Sequence, residues 1–186
     1  MSKCSPGADG LARDDSPDAR TMAPAAEVQA ICLRLLTARP RSRAELADAL
    51  RRREIPEEVS EPVLDRLSEV GLVDDAAFAE SAAHSGHQHR GLGRRALRAE
   101  LRRRGVSSEI ADQAVAGVEP DDEEQRAREL VRRKLRTSIV RDASTLARKL
   151  SKMLVRKGYS AALAWRVVRD ELGPEAWPAE VEPYPD

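Results

Sequence analysis

One frame recurs three times along the chain, and it leaves the fold little freedom. Its clearest copy is Gly93-Arg94-Arg95-Ala96-Leu97-Arg98-Ala99-Glu100-Leu101-Arg102-Arg103-Arg104-Gly105-Val106-Ser107. A helix from Gly93 to Arg104 stacks Leu97 and Leu101 on one face. Gly105 suits the left-handed position just past a helix end. Val106 is the apolar residue between two helices, and Ser107 can cap the second. Upstream, Leu46 and Leu50 are followed by Glu54, Ile55, Pro56 and Val59. Downstream, Leu150 and Leu154 are followed by Gly158, Tyr159, Ser160 and Leu163. The second leucine advances by 51 and then 53 residues. Each copy reads as a leucine-bearing helix, a tight turn, an apolar plug, a cap and a second helix, with a further amphipathic helix before it. The fold expected is all-α: three tandem three-helix repeats in an elongated, curved solenoid. Each unit is too small to bury its own core well, so neighbours should stack. The expected divisions are a disordered tail at 1–24, repeats at 25–73, 74–118 and 119–172, and an acidic, proline-rich tail at 173–186.

Local signals fill in this frame. Val28, Ile31, Cys32, Leu35 and Leu36 follow helical spacing from Glu27 to about Ala38, and Pro40 stops that helix. Ser42 and Glu45 form a capping box. Pro56 sits near the first turn of a third helix, while Pro62 predicts a kink or a later start. Asp74 caps a helix bearing Phe78, Ala79, Ala82 and Ala83. Residues 85–93, with three glycines, read as a flexible loop. Helices bearing Ala127, Leu130, Val131 and Leu135, then Leu146, Leu150, Met153 and Leu154, then Leu163, Val167 and Val168 complete the third unit. Strand-like alternation is missing, and aromatics are only 3% of the residues, which disfavours both β-sandwich cores and base-stacking platforms.

The zero net charge conceals local fields. Residues 90–104 hold seven arginines against Glu100, and residues 125–157 hold twelve Arg/Lys against Glu129 and Asp142. Arg94, Arg98 and Arg102 form a row four residues apart, with Arg95 beside them. Arg128 and Arg132, with Arg133 adjacent, form a second; Arg148, Lys152 and Arg156, with Lys149 adjacent, form a third. Without acidic partners at i+4, such rows repel themselves unless an anionic partner offsets them. These eleven residues are the candidate surface for nucleic-acid phosphates or an acidic protein. No catalytic motif and no cofactor-binding loop stands out. His84, His87 and His89 have a metal-like spacing, but the loop leaves them unordered, so no metal is expected. Cys32 reads as a small core residue and Cys4 as part of a polar tail. With no disulfide, no membrane span and no signal peptide, the expected location is the cytoplasm.

Arg43 to Asp75 reads as cap, helix, turn and helix, which gives an alternative function: a helix-turn-helix DNA-binding transcription regulator. Against it, a helix starts at Asp75 where a wing hairpin belongs. Leu72-Val73-Asp74-Asp75-x-x-Phe78-Ala79 followed by Gly93-Arg94-x-x-Leu97-x-x-Glu100-Leu101-x-x-Arg104-Gly105-Val106 resembles the RecX family of bacterial recombinase regulators. The resemblance covers about Ala25 to Leu172. It implies a non-enzymatic, monomeric protein that binds RecA and the RecA–single-stranded-DNA filament. It further implies that the protein blocks filament extension and suppresses ATP hydrolysis, strand exchange and co-protease activity, so modulating DNA repair and the SOS response. It also implies contact with DNA, single-stranded first and duplex as a further candidate. The sequence departs from the family at Glu54, where a glycine would suit the turn, and at Tyr159, where phenylalanine is common.

Overall fold

The computed structural model describes residues 17–139 and 142–173, and these form nine helices and no strand. They are α1 (Pro17–Ala38), α2 (Arg43–Arg51), α3 (Glu57–Glu69), α4 (Asp75–Arg90), α5 (Arg94–Arg103), α6 (Ser108–Ala116), α7 (Pro120–Arg136), α8 (Ala143–Arg156) and α9 (Ala161–Leu172). They group in threes, giving the all-α repeat fold expected.

The caps are where the side-chain chemistry places them. The Ser42 hydroxyl accepts from Glu45 N–H, Asp74 from Ala76 and Ala77, Ser107 from Ile110 and Ser160 from Leu163. Asp142 does the same for Thr145 at the start of α8. The turn between the second and third helix of each unit repeats one bond. Ile55, Val106 and Tyr159 donate their N–H to the carbonyls of Leu50, Leu101 and Leu154, at 3.3, 3.1 and 3.2 Å. That closure needs a left-handed residue just before the donor. Gly105 (φ 77°), Gly158 (φ 90°) and, without glycine's freedom, Glu54 (φ 60°) supply it.

Three expectations need correction. Helix α1 already runs through residues 17–24, which were placed in the tail. Pro17 stands at the first helical position, where its missing N–H has no partner to lose. Residues 1–16, Cys4 among them, and the tail beyond 173 lie outside the described residues. Residues 85–90 are helical: α4 continues to Arg90 and ends at Gly91 in the left-handed conformation (φ 60°). Gly86 is there because α4 lies against α5; a Cβ on it would come within 2.6 Å of Leu97 Cδ2. Helix α3 starts at Glu57 directly after Pro56 and passes through Pro62, which is exposed and faces solvent.

The cores also differ from a stacked solenoid. Val28, Cys32, Leu46, Leu50, Leu64 and Leu67 form one cluster, and Phe78, Leu97, Leu101, Val106 and Val115 a second. Leu130, Val131, Leu150, Leu154, Tyr159 and Val167 form the third. Each unit therefore encloses its own apolar cluster, and the units meet through helix ends.

Candidate nucleic-acid and partner interface

Helix α5 links the units at both of its ends. At its C-terminal end the Arg104 carbonyl accepts from the Ser42 hydroxyl, the N-cap of α2, at 2.5 Å. A Cβ on Gly105 would lie 2.2 Å from Ala44 Cβ. At its N-terminal end Gly93 N–H donates to the Lys157 carbonyl at 2.8 Å, and Arg95 N–H to Gly158 carbonyl at 3.1 Å. Arg104 and Lys157 occupy the same position of the repeat, each directly before the left-handed glycine. The two junctions are thus copies of one another. A carboxylate from the following unit completes each. Asp75 Oδ1 accepts from Arg43 N–H and Glu123 Oε1 from Arg94 N–H, both at 2.8 Å. A negative group at a helix N-terminus satisfies a free donor and complements the helix dipole.

This geometry sorts the cationic rows. Arg98 pairs with Asp112 on α6, Arg128 with Glu124 one turn back, and Arg132 with Glu171 on α9 at 2.8 Å. Asp170 lies 3.7 Å from Arg128. Two of these three partners come from other helices; the third, Glu124, stands four residues before Arg128 on α7 itself, so the expectation of rows without acids at that spacing fails for Arg128. The Arg102 guanidinium donates to the Ser108 hydroxyl at 2.9 Å. Arg94, Arg95, Arg133, Arg148, Lys149, Lys152 and Arg156 make no ion pair among the described residues. Arg95 and Arg133 are exposed, as are all four α8 cations, and α8 contains no carboxylate of its own.

Several cations at the junctions escaped the sequence rows. The Lys157 ammonium donates to the Arg90 carbonyl at 2.7 Å. Burial lowers its pKa, and the nearby charges of Arg133, Arg126 and Arg90 lower it further. Arg104 lies over the Phe78 ring, 5.4 Å from its centroid, and within 4 Å of both Glu45 and Glu100. Arg39, Arg41, Arg52 and Arg103 share a cleft with it. Arg104 and Lys157 share a signal legible in the sequence, a basic residue directly before the turn glycine; Arg39, Arg41, Arg52 and Arg103 carry no such signal.

The other candidates resolve differently. His87 is 4% exposed and its Nδ1 lies 3.1 Å from the Leu92 carbonyl, so it is a core residue and not a solvated loop histidine. Among the described residues no group of three or more His, Cys, Asp or Glu side chains is placed to hold a metal ion. Cys32 is buried, and burial raises its thiol pKa. In the helix-turn-helix alternative α3 would enter the DNA groove. It carries Glu57, Glu58, Glu61, Asp65 and Glu69 against Arg66 alone. That charge opposes a phosphate backbone, and α4 stands where a wing should be. No helix among the described residues is long and apolar enough to cross a membrane.

Comparison with known proteins agrees with this architecture. Family models described as the first, second and third three-helix domains of RecX match residues 30–67, 74–115 and 121–168. The regulatory protein RecX of Thermobifida fusca is 54% identical over 176 residues, covering 92% of this chain and 94% of that one. The Streptomyces lividans protein of the same name is 53% identical over 152 residues, covering 82% and 81%. The crystal structure of RecX from Lactobacillus salivarius has the same fold, with a TM-score of 0.70 at 19% identity over 80% of this chain and 97% of that one. A second crystal structure, of a regulatory protein RecX, matches with a TM-score of 0.70 at 25% identity over 81% and 74%. The three helical units, their junctions and these relatives together place the chain in the RecX family of regulatory proteins.

Proposed function

We propose that this protein regulates RecA, mainly as an inhibitor. It acts in the cytoplasm as a non-enzymatic monomer. It binds the RecA–single-stranded-DNA filament, blocks extension, and so suppresses ATP hydrolysis, strand exchange and co-protease activity. By this route it modulates DNA repair and the SOS response. The observation that carries the reading is the exposed face of α8. Lys149, Lys152 and Arg156 stand there without a carboxylate partner among the described residues, on a helix that has no acidic residue. A face of that kind attracts phosphates or an acidic protein surface, and it is weakened by salt. Arg95 and Arg102 on α5 are likewise exposed.

The test is the ATPase rate of cognate RecA on single-stranded DNA, titrated with this protein at two salt concentrations. Suppression is expected well below one regulator per RecA monomer. A Lys149→Ala/Lys152→Ala/Arg156→Ala variant should need about tenfold more protein for the same effect. Those side chains point away from the core, so its melting temperature should not change. Full potency in that variant would remove the α8 face from the interface. No suppression by the wild-type chain at any ratio would overturn the regulatory reading.

A further inference from the structure

We propose that the cleft between the first two units is a seat for phosphate groups, held jointly by arginines of α1–α2 and of α5. The cleft encloses about 340 Å³ and is lined by Arg39, Arg41, Arg52, Arg102, Arg103 and Arg104, with Glu45 and Asp48 as its carboxylates. Six guanidinium groups against two carboxylates leave a charge of +4 among the residues lining a concave, half-open space, a field that attracts anions. The volume is within the range of small-ligand sites.

The two carboxylates are already engaged. Glu45 holds Arg39 at 2.9 Å and lies 3.9 Å from Arg104, and Asp48 pairs with Arg51 at 2.6 Å. Arg41 Nε donates to the Leu35 carbonyl at 3.3 Å, and Arg102 is held by Ser108. Arg52 and Arg103 are exposed and make no ion pair among the described residues. The cleft thus combines anchored guanidinium groups with two that are free. Forked guanidinium donors match phosphate oxygens in geometry as well as charge. Its two walls belong to different units and are held together by the Ser42–Arg104 bond and the close approach of Gly105 to Ala44. The seat therefore exists only while the units are docked, and an occupant would clamp them. Of the eleven residues in the sequence rows, only Arg102 lines it.

This inference rests on the nucleic-acid part of the reading above, and the phosphate has two sources: a strand backbone or a free polyphosphate. The experiment uses the full chain without RecA. Anisotropy of a labelled oligo-dT is followed across a salt series, and inorganic tripolyphosphate binding by calorimetry, for wild type and Arg52→Ala/Arg103→Ala. If a strand occupies the seat, the variant binds oligo-dT about tenfold more weakly and its log–log salt slope falls by roughly 1.4, at about 0.7 per lost phosphate contact. If a free polyphosphate occupies it, the variant loses tripolyphosphate binding while oligo-dT binding is unchanged. Wild-type behaviour of the variant toward both probes overturns the proposal. Since neither probe involves RecA, failure here is distinct from failure of the regulatory reading.

Discussion

Glu54 and Gly158 occupy the same turn position and stand in opposite situations. Gly158 is at φ 90°, and a Cβ there would lie 2.3 Å from the Ala96 backbone nitrogen. Its requirement is double: a left-handed backbone and room for α5. Gly158→Ala should therefore cost about 3 kcal/mol or more, well above the ~1–2 kcal/mol of the backbone conformation alone. Glu54, at φ 60°, is exposed and bears only the conformational cost. Glu54→Gly should stabilise by about 0.5–1 kcal/mol, since relief of the left-handed strain is partly offset by glycine's greater unfolded-state freedom. Urea denaturation of both variants checks the pair. A Gly158→Ala loss no larger than the backbone term would mean that the α5 contact yields easily. The conformational half of this contrast was legible in the sequence, where Gly-Val-Ser and Gly-Tyr-Ser follow the leucine helices. The contact half was not, because Ala96 is remote in sequence from Gly158. Tyr159 is similar: its hydroxyl donates to the Gly91 carbonyl at 3.2 Å, a partner that no local spacing reveals.

At the scale of helices, apolar periodicity with cap and turn signals sufficed to find each of the nine helices among the described residues, since a buried stripe repeats every turn. It misplaced the end of α4, where alanines, glycine and histidines carry little apolar signal. It also left the arginine rows without acids, because the partners of Arg98 and Arg132 sit on neighbouring helices and Glu124 lies among the acids that open α7. Glu124 shows what such cross-helix pairing does. It accepts from Arg166 on α9 and pairs with Arg128 on its own helix. The hydrogen bond from Arg166 holds its pKa below the ordinary carboxylate value, with burial opposing and the charges of Arg166 and Arg128 adding. A depressed folded pKa stabilises above the unfolded value of about 4.3, and that stability is lost as pH falls through the folded value. Melting temperature followed from pH 6 to pH 3 should thus fall less for Glu124→Gln than for wild type. Identical profiles would show that the α7–α9 clasp contributes nothing to acid sensitivity.

At the scale of the molecule, three separate cores joined through helix ends predict limited cooperativity. Nearest-neighbour coupling governs repeat arrays, and here it runs through a few bonds at each end of α5. Leu50→Ala, which empties a fully buried site in the first cluster, should cost about 2–5 kcal/mol locally. Hydrogen exchange should then quicken in α1, α2 and α3 while α7, α8 and α9 keep wild-type protection. An equal loss across all nine helices would show a single cooperative unit instead.

The chain by itself determined the helices, their caps, the turn chemistry and the threefold recurrence. Each of these depends on residues within one or two turns of one another. It also determined that positive charge accumulates in the second and third units. Only the tertiary structure decided that the units close their own cores and that α5 joins them end to end. The same folding paired Arg98, Arg128 and Arg132 while leaving the α8 cations exposed. It also gathered arginines from 39 to 104 around one cleft. These outcomes depend on groups distant in sequence meeting in space, where ion pairing and desolvation act over a few ångströms and ignore chain order.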